Sequence, residues 1–262
     1  MAGDPLIAWR GENSTDEPVR LNKFLAQAGV CSRREADGLI ADGLIAIDGE
    51  GVADAGRKVL PGQTVTLSAA AAEALDGVTI ILNKPTGFVS GQPEPGKVPA
   101  VRLLSDENRV GPGPTPASDA SLPPLGRLDE YSRGLLLLSS DGVVAKAVIG
   151  PQSALTKEYR VRVRGEVTPD VVALLRHGLK LDGRALKPAG VFDKGRGRLK
   201  FVLSEGRNRQ IRRMCELVGL HVVDLQRTRI GPLMLGDLEE GRWRRLTDDE
   251  RVALLSGSQT GV

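Results

Sequence analysis

The spacing of apolar residues near the start of the chain predicts two short helices. Four apolar residues recur at the spacing of one helix face: Leu21, Phe24, Leu25 and Ala28. Ser32 and Glu35 follow with the spacing of a capping box, in which each side chain bonds the backbone N–H of the other residue. We therefore expect a second helix to begin after Ser32 and to end at Gly43.

Short strands and turns complete this first module. The pattern predicts a strand over 45–47, a hairpin turn at Asp48-Gly49 and another strand over 64–67. We interpret the alanines at 69–72 as a linker that follows a domain spanning 19–68. Residues 1–18 mix Gly, Pro, Asp and Glu without periodicity, so we expect a flexible tail there.

The rest of the chain alternates strand and helix patterns, which place a larger domain at 76–256. A continuous apolar run over 135–138 predicts a strand buried on both faces. Residues 157–164 alternate with the period of a strand, which puts Tyr159 on its apolar face. Further strands are expected at 79–82, near 191, at 199–203 and at 222–229, and helices from Pro169, from about Asn208 and after Thr247. Residues 105–124, rich in Pro, Gly and Ser, predict a long loop.

The rare residue types exclude several kinds of chemistry. The 262 residues include two histidines and two cysteines, and 3% of the residues are aromatic. These counts exclude a zinc site rich in Cys or His, and two widely separated cysteines argue against a disulfide scaffold. No apolar run is long enough to span a bilayer, and no basic stretch leads into an apolar one near the N-terminus. We therefore expect a soluble, cytoplasmic protein that needs no metal.

Positive charge is concentrated in the second half of the chain. The formal net charge is +3, yet residues 157–262 hold 22 Lys and Arg against 14 Asp and Glu. The densest cluster lies at 194–213, where eight cations accompany one acid, Glu205. The cations are Lys194, Arg196, Arg198, Lys200, Arg207, Arg209, Arg212 and Arg213. Such a cluster suits a polyanion, because each cation that neutralises a phosphate releases counterions. The alternative is an ordinary solvated surface.

One loop is the first candidate for catalysis. Gly126 and Gly134 bracket a segment that delivers Asp129 to the start of the buried strand. The alternative is an Asp that only caps a turn. Glu130 and Asp141 are competing carboxylates, and spacing alone does not choose among the three.

A tyrosine and an arginine are the next candidates. Tyr159 lies in a basic strand, where one ring is able to hold one flipped base; the alternative is a core tyrosine. In the helix expected from about Asn208, Arg212 lies beside the apolar stripe, poised to be half buried against an internal carboxylate. Arg209 and Arg213 point away from that stripe, so we expect both to be free for phosphates. Cys215 belongs to the stripe and is interpreted as a packing residue.

The first module resembles the S4 RNA-binding domain. The residues that carry the resemblance are Arg20-Leu21-Asn22-Lys23-Phe24-Leu25, Ser32-Arg33-Arg34-Glu35-Ala36 and Ile47-Asp48-Gly49. In that family two helices present basic residues to structured RNA. The resemblance therefore implies RNA contacts by Arg20, Lys23, Arg33 and Arg34.

The larger domain resembles the pseudouridine synthases of the RsuA type. The matching motifs are Asn83-Lys84-Pro85-Thr86-Gly87, Gly126-Arg127-Leu128-Asp129 with Ser132, Lys157-Glu158-Tyr159, and residues 206–214. Within that family the motifs after Asn208 are most similar to enzymes of F type, and next to those of B type, that act on large-subunit ribosomal RNA. The implied fold is α+β, with a mainly antiparallel mixed sheet and flanking helices.

The resemblance also implies a reaction and its residues. Uridine is isomerised by breaking its N1–C1′ bond and rejoining the base through C5, without cofactor or metal. Asp129 would act as nucleophile or ion-pair stabiliser, and Arg212, or otherwise Arg207, would hold it. Tyr159 would stack on the flipped uracil, and Arg127 would fill the vacated space or contact phosphate. Other implied phosphate contacts are Arg207, Arg209 and Arg213.

Several alternatives stay open at the level of sequence. The same chemistry on transfer RNA or small-subunit ribosomal RNA remains an alternative to the large-subunit target. A non-enzymatic RNA-binding or ribosome-assembly factor would explain the basic cluster, although not the three separate catalytic motifs. A hydrolase that uses two carboxylates fits less well, because no second carboxylate with suitable surroundings stands out. We expect a monomer that has RNA as its partner.

Overall fold

The computed structural model describes residues 7–75, 77–91, 93 and 95–257, which form two compact units. The first unit comprises the described residues up to Val78 together with Ser140–Lys146. The second comprises Thr79–Ser139 and the described residues from Ala147 onward. No described helix is both long and apolar enough to cross a membrane.

Two helices and a small antiparallel sheet make up most of the first unit. Its elements up to residue 78 are β1 (Ile7–Glu12), β2 (Val19–Arg20), α1 (Leu21–Gln27), α2 (Arg33–Ala41), β3 (Ile45–Ile47), β4 (Glu50–Gly51), β5 (Lys58–Val59), β6 (Thr64–Ser68) and α3 (Ala69–Ala74). One sheet has the strand order β1-β6-β3-β4, and β2 pairs with β5. Leu25, Ile40 and Val65 are fully buried in its core.

The predicted helix start at Ser32 is confirmed at atomic detail. The Ser32 Oγ accepts from the Glu35 N–H at 3.2 Å, and the Glu35 Oε2 accepts from the Ser32 N–H at 2.6 Å. Both halves of the capping box are therefore present, and they satisfy two N–H groups that have no partner within the helix.

Two predictions for this unit are wrong. Within the predicted tail 1–18, residues Ile7–Glu12 form β1 and pair with β6, while residues 1–6 lie outside the described part of the chain. The Trp9 ring packs edge-on against Phe24 at 6.2 Å, so this strand adds apolar contacts as well as backbone bonds. The alanines at 69–72 form the start of α3 rather than a linker, in keeping with the high helix propensity of alanine.

From Thr79 onward the chain supplies most of the larger unit. Its elements are β7 (Thr79–Lys84), β8 (Phe88–Val89), β9 (Val98–Pro99), a 3₁₀ helix (Ala100–Leu103), β10 (Arg133–Ser139), α4 (Gly142–Ile149), β11 (Lys157–Arg164), α5 (Pro169–Arg176), β12 (Lys180–Leu181), β13 (Arg184–Ala185), β14 (Gly190–Asp193), β15 (Arg198–Leu203), α6 (Gln210–Leu217), β16 (His221–Ile230), β17 (Leu233–Met234), β18 (Trp243–Arg245) and α7 (Asp248–Gly257).

An eight-stranded sheet is the centre of this unit. Its strand order is β14-β15-β11-β16-β10-β7-β18, and β17 pairs with β16. Its strand pairs are antiparallel apart from β10 and β16, which run parallel. The mainly antiparallel mixed sheet of the α+β prediction is therefore confirmed.

The hydrophobic patterns located these strands because burial follows them closely. In β10 every residue from Gly134 to Ser139 is buried, as the continuous apolar run predicts. In β11 burial alternates, with Tyr159, Val161 and Val163 buried and the arginines between them exposed. Residues 105–124 contain no helix or strand, only single bridge residues at Arg109 and Pro124, so the predicted loop is confirmed.

Candidate active site

A cleft of about 690 Å³ opens in the larger unit, beside the parallel pair β10 and β16. Its lining comes from the loop 126–132, the beginning of β11, the end of β15, the start of α6 and the middle of β16. Gly134 makes this packing possible, because its φ is +103° and a Cβ there would lie 2.3 Å from the Arg227 carbonyl oxygen. The loop that carries Asp129 is thereby held close to β16. The volume suits a single nucleotide-sized group.

Asp129 sits at this cleft with both carboxylate oxygens engaged. Its Oδ1 accepts from the Tyr131 N–H at 3.0 Å, which is the turn-capping contact expected of an Asp between glycines. Its Oδ2 lies 3.2 Å from Arg212 Nε and 3.6 Å from Arg209 Nη1. The side chain is still 23% exposed, so a group that enters the cleft has access to it.

Arg212 is held more firmly than an ion pair alone would hold it. Its side chain is 10% exposed, and its Nη2 donates to the Tyr131 carbonyl at 2.7 Å and to Ser132 Oγ at 3.2 Å. Fixing the guanidinium on the backbone of the Asp129 loop also fixes the direction of the carboxylate. The structure thus brings together Arg212, half buried as the helix periodicity predicts, and Asp129, the partner that the resemblance implies.

Arg207, the alternative partner, does not contact Asp129. Its guanidinium donates to the carbonyls of Ala185 at 2.6 Å and Leu181 at 3.2 Å, and it lies 3.4 Å from a Glu205 carboxylate oxygen. Arg207 therefore ties the β12–β13 hairpin to the rim of the cleft and does not act as the partner of Asp129.

The expectation that Arg209 and Arg213 are free is wrong, because each lies against a carboxylate. Arg209 precedes α6 with a φ of +48°, so the helical count of 100° per residue does not give its direction, and its side chain turns toward Asp129. Arg213 forms a two-bond pair with Asp182, at 2.6 and 3.0 Å. The hydrogen bond from Arg213 holds the pKa of Asp182 below its ordinary value.

Tyr159 lies in the floor of the cleft, opposite Arg227 on β16 and Phe201 on β15. It is only 9% exposed, yet its hydroxyl forms no hydrogen bond within the described part of the chain. The ring of Tyr159 is therefore packed in the core on one side and borders the cleft on the other, so its position agrees with both hypotheses from the sequence.

The other predicted RNA contacts are exposed cations. Arg127 lines the cleft, and in the part of the chain that the structure describes it has neither an acceptor nor a carboxylate partner. In the first unit Arg20, Lys23, Arg33 and Arg34 are also exposed, and none of the four has a described ion pair. All five side chains are accessible to phosphate.

Sequence reasoning missed two cations on the cleft floor. Arg227 is 1% exposed, and it donates from Nε to the Leu135 carbonyl at 2.7 Å and from Nη2 to the Gly126 carbonyl at 3.0 Å. Lys157 lines the same floor, and no described residue accepts a bond from its ammonium. Burial, and then the charge of Arg227, hold the pKa of Lys157 below its ordinary value. Period-two alternation puts Lys157 on the face of Tyr159, and that signal could have identified it.

A third buried cation supports the neighbouring turn. Lys84 is fully buried, and its Nζ donates to the carbonyls of Pro85 and Phe88 at 2.7 Å each. Burial lowers its pKa to about 8, and the negative charge of Asp129 opposes that shift. Lys84 therefore fixes the turn within the motif 83–87.

Neither cysteine has the surroundings of a nucleophile. Cys215 is fully buried in α6, as expected of a packing residue, and burial raises the pKa of its thiol to about 12. Burial raises the pKa of Cys31 to about 12 as well. Among the described residues no group of three or more His, Cys, Asp or Glu is arranged to hold a metal ion.

Comparison with known proteins relates the larger unit to RNA modification and identifies an S4 domain in the first unit. Residues 78–217 match the model of the RNA pseudouridylate synthase family, and residues 19–65 match that of the S4 domain. The dual-specificity RNA pseudouridine synthase RluF of Escherichia coli K12 is 36% identical over 91% of this chain and 79% of its own length. The ribosomal large subunit pseudouridine synthase B of Bacillus subtilis is 32% identical over 88% of this chain and 93% of its own length.

A solved structure agrees with these sequence matches. The crystal structure of a pseudouridylate synthase superposes with a TM-score of 0.62 and 27% identity, and the match covers 90% of this chain and 99% of that one. The similarity to F-type and B-type enzymes inferred from the motifs is thereby confirmed.

Proposed function

Since the chain belongs to the RNA pseudouridylate synthase family, and is therefore an RNA-modifying isomerase, we propose that it isomerises one uridine of large-subunit ribosomal RNA with Asp129 as its catalytic carboxylate. The observation that carries the site is the Asp129–Arg212 pair, 3.2 Å apart at the edge of the cleft. Support for the substrate comes from the Bacillus subtilis relative, which is named for the large ribosomal subunit.

The reaction needs a carboxylate aimed at C1′ of the uridine. The N1–C1′ bond breaks and its electron pair leaves with the uracil, while Asp129 either bonds to C1′ or stabilises the cation formed there. The base then turns, C5 bonds to C1′, the carboxylate is released, and the proton on C5 is lost while N1 gains one. Atoms and electrons balance without any external oxidant or reductant.

Arg212 acts in this proposal as a positioning residue. Its bonds to the Tyr131 carbonyl and Ser132 Oγ hold the guanidinium still, and the guanidinium in turn holds Asp129 Oδ2. A nucleophile held in its attacking geometry avoids much of the entropic cost of reaching it. Arg209, at 3.6 Å, adds a second and more exposed cation.

Tyr159 is proposed to stack on the flipped uracil. Its ring lies in the cleft floor, where a flipped base is able to stack on it. Arg127, exposed at the rim, would fill the space left by the flipped nucleotide or contact its phosphate.

Lys157 and Arg227 complete the proposed site on the side of the leaving base. When the glycosidic bond breaks, uracil carries negative charge on N1 and on its carbonyl oxygens. Two floor cations without a described carboxylate partner face the space where that charge develops. Preorganised positive groups in a site shielded from water stabilise such charge strongly.

The exposed cations of the first unit are proposed to bind structured RNA outside the reacting nucleotide. Linking such a module to the catalytic unit raises the effective concentration of the substrate without adding chemistry. We propose a monomer that works in the cytoplasm, where it meets its RNA.

Mapping pseudouridine across total RNA from cells with and without this protein tests both activity and target. The expected result is one missing site in large-subunit ribosomal RNA, restored when the wild-type chain is supplied again. A missing site in transfer RNA or small-subunit ribosomal RNA would overturn the target, and no missing site would overturn the assigned activity in the cell.

A further inference from the structure

Strand β11 presents different chemistry on its two faces. Lys157 and Tyr159 face the cleft, so the alternating residues Arg160, Arg162 and Arg164 point out of the opposite side of the sheet. All three arginines are exposed, and within the described part of the chain none has a hydrogen-bond acceptor or an ion-pair partner. Glu158, on the same face, is already paired with Lys200 and Arg229, and Arg162 lies within electrostatic reach of Asp224. The outer face of β11 therefore carries an excess of exposed positive charge.

The neighbouring strand adds a like charge where an opposite one would stabilise the sheet. Arg162 lies directly across from Arg198 on β15, and Arg198 also has no described carboxylate partner. On its other side Arg162 faces Asp224, but both oxygens of Asp224 already accept bonds from Arg133 at 2.9 Å. Like charges directly opposite each other destabilise a sheet. An anionic ligand bound between Arg162 and Arg198 would relieve this repulsion.

An exposed aromatic ring lies on the same face of the sheet, two strands away from β11. Phe192 on β14 pairs with Lys200 on β15, which in turn pairs with Arg160. The Phe192 ring is 44% exposed, and two cations lie near its centroid, Lys200 Nζ at 5.8 Å and Arg176 Cζ at 6.0 Å. Exposed rings flanked by cations are the platforms on which unpaired bases stack.

We propose that Phe192, Arg160, Arg162, Arg164 and Arg198, here called the outer basic face, bind a second, single-stranded segment of the RNA substrate. The inference rests on the proposed function only in taking RNA as the ligand. Charge complementarity favours RNA over an acidic protein, because the ring offers stacking to bases while the arginines match phosphates. The cleft and this face lie on opposite sides of one sheet, so only a long RNA reaches both.

The first experiment compares RNAs of two lengths by equilibrium binding and by turnover. For the triple variant Arg160→Gln/Arg162→Gln/Arg198→Gln, we expect affinity for a long ribosomal RNA fragment to fall about tenfold, and the slope of log K against log salt to fall by about 2. A short stem-loop that carries the uridine should bind and react as with wild type. The control Arg102→Gln removes an exposed charge elsewhere and should leave both RNAs unaffected.

A second variant separates stacking from charge. Phe192→Leu keeps an apolar side chain but loses the ring, and we expect its affinity for the long RNA to fall about fivefold, with Phe192→Tyr close to wild type. Thermal unfolding of the triple variant should show no loss of stability, because it removes a repulsive pair.

Three outcomes would overturn the proposal. Unchanged affinity for the long RNA would make the outer basic face an ordinary solvated surface. Equal weakening of the long RNA and the stem-loop would assign the charges to a general field. Unchanged binding of naked RNA with weaker binding of ribosomal particles would point to a protein partner. Binding is measured without turnover, so a failure here is distinguishable from a failure of the proposed reaction.

Discussion

Two neighbouring arginines of α6 each pair with a carboxylate, but the two pairs differ in contact distance and in exposure to solvent. Arg213 binds Asp182 with two short bonds, yet the two side chains are 31% and 68% exposed. Arg212 approaches Asp129 only to 3.2 Å, but their side chains are 10% and 23% exposed. Solvent screens the first pair, while the second is enclosed by the loop that carries Asp129. We therefore expect the exposure of an ion pair to solvent to determine its contribution more than the distance between its N and O atoms does.

The enclosed pair also has the second contacts that the exposed one lacks. Arg212 bonds the Tyr131 carbonyl and Ser132 Oγ as well as Asp129, so its loss would leave several acceptors without a donor. Within the described part of the chain, the Arg213 guanidinium bonds Asp182 alone. The difference predicts that breaking each pair has effects of very different size.

Breaking the pair at the cleft is expected to have the largest effect. Arg212→Met should lower the single-turnover rate about 10²-fold, because a nucleophile out of position loses that much. The free energy of unfolding should fall by about 2 kcal/mol, since buried acceptors lose their donor. Asp182→Asn, which breaks the exposed pair, should leave the rate unchanged. Rapid-quench kinetics and chemical denaturation measure both; similar losses in the two variants would erase the distinction between the pairs.

Removing a cation that has no carboxylate partner should have an intermediate effect. Lys157→Met is expected to lower kcat about tenfold with little change in KM, because the charge it meets appears only in the transition state. Lys157→Arg should recover part of that loss. Steady-state kinetics on one RNA measure the split. A raised KM with an unchanged kcat would instead assign Lys157 to the binding of phosphate.

The smallest effect is expected at the exposed pair. The pKa of Asp182 is depressed below 3.8 by Arg213, so the stability it contributes is present above that value and is lost as the pH falls through the depressed pKa. Carboxyl NMR titration of Asp182 should show this shift, and Arg213→Met should return the pKa toward 3.8. A titration that is the same in both proteins would show that the pair does not persist in solution.

Sequence patterns located the elements whose signals are local. The capping box at Ser32 and Glu35 depends on four consecutive residues, and the strand β10 on one continuous apolar run. In contrast, β1 pairs with β6 more than fifty residues along the chain, so its own sequence carries little sign of it. Strand β18, built around the fully buried Trp243, is too short for a period to be visible.

The same division applies to the candidate site. The half-buried position of Arg212 beside the apolar stripe was predictable because a helix has a fixed angular period that extends to the residues inside it, whereas its pairing with Asp129 was implied by the resemblance. Arg209 lies one residue outside α6 in a left-handed conformation, so the period does not reach it. The partner of Arg213 comes from the turn between β12 and β13, about thirty residues earlier, and no local pattern brings that turn to the helix.

The basic cluster at 194–213 is continuous in the sequence, but the fold places its members on different faces of the larger unit. Arg198 and Lys200 lie on β15 and face the side of the sheet away from the cleft, whereas Arg209 and Arg212 lie at the start of α6, beside Asp129. A linear count of charge cannot separate the two groups, because the sheet alone decides which face each residue takes.

Replacing each carboxylate of the two pairs by its amide tests the central claim most directly. Asp129→Asn and Asp182→Asn each keep the size of the side chain and remove one negative charge. A difference between the two variants therefore reflects only where the carboxylate lies. We expect purified Asp129→Asn to bind the RNA with wild-type affinity and to form pseudouridine at least about 10³-fold more slowly in a single turnover, with Asp182→Asn indistinguishable from wild type. Full pseudouridine formation by Asp129→Asn would contradict the account.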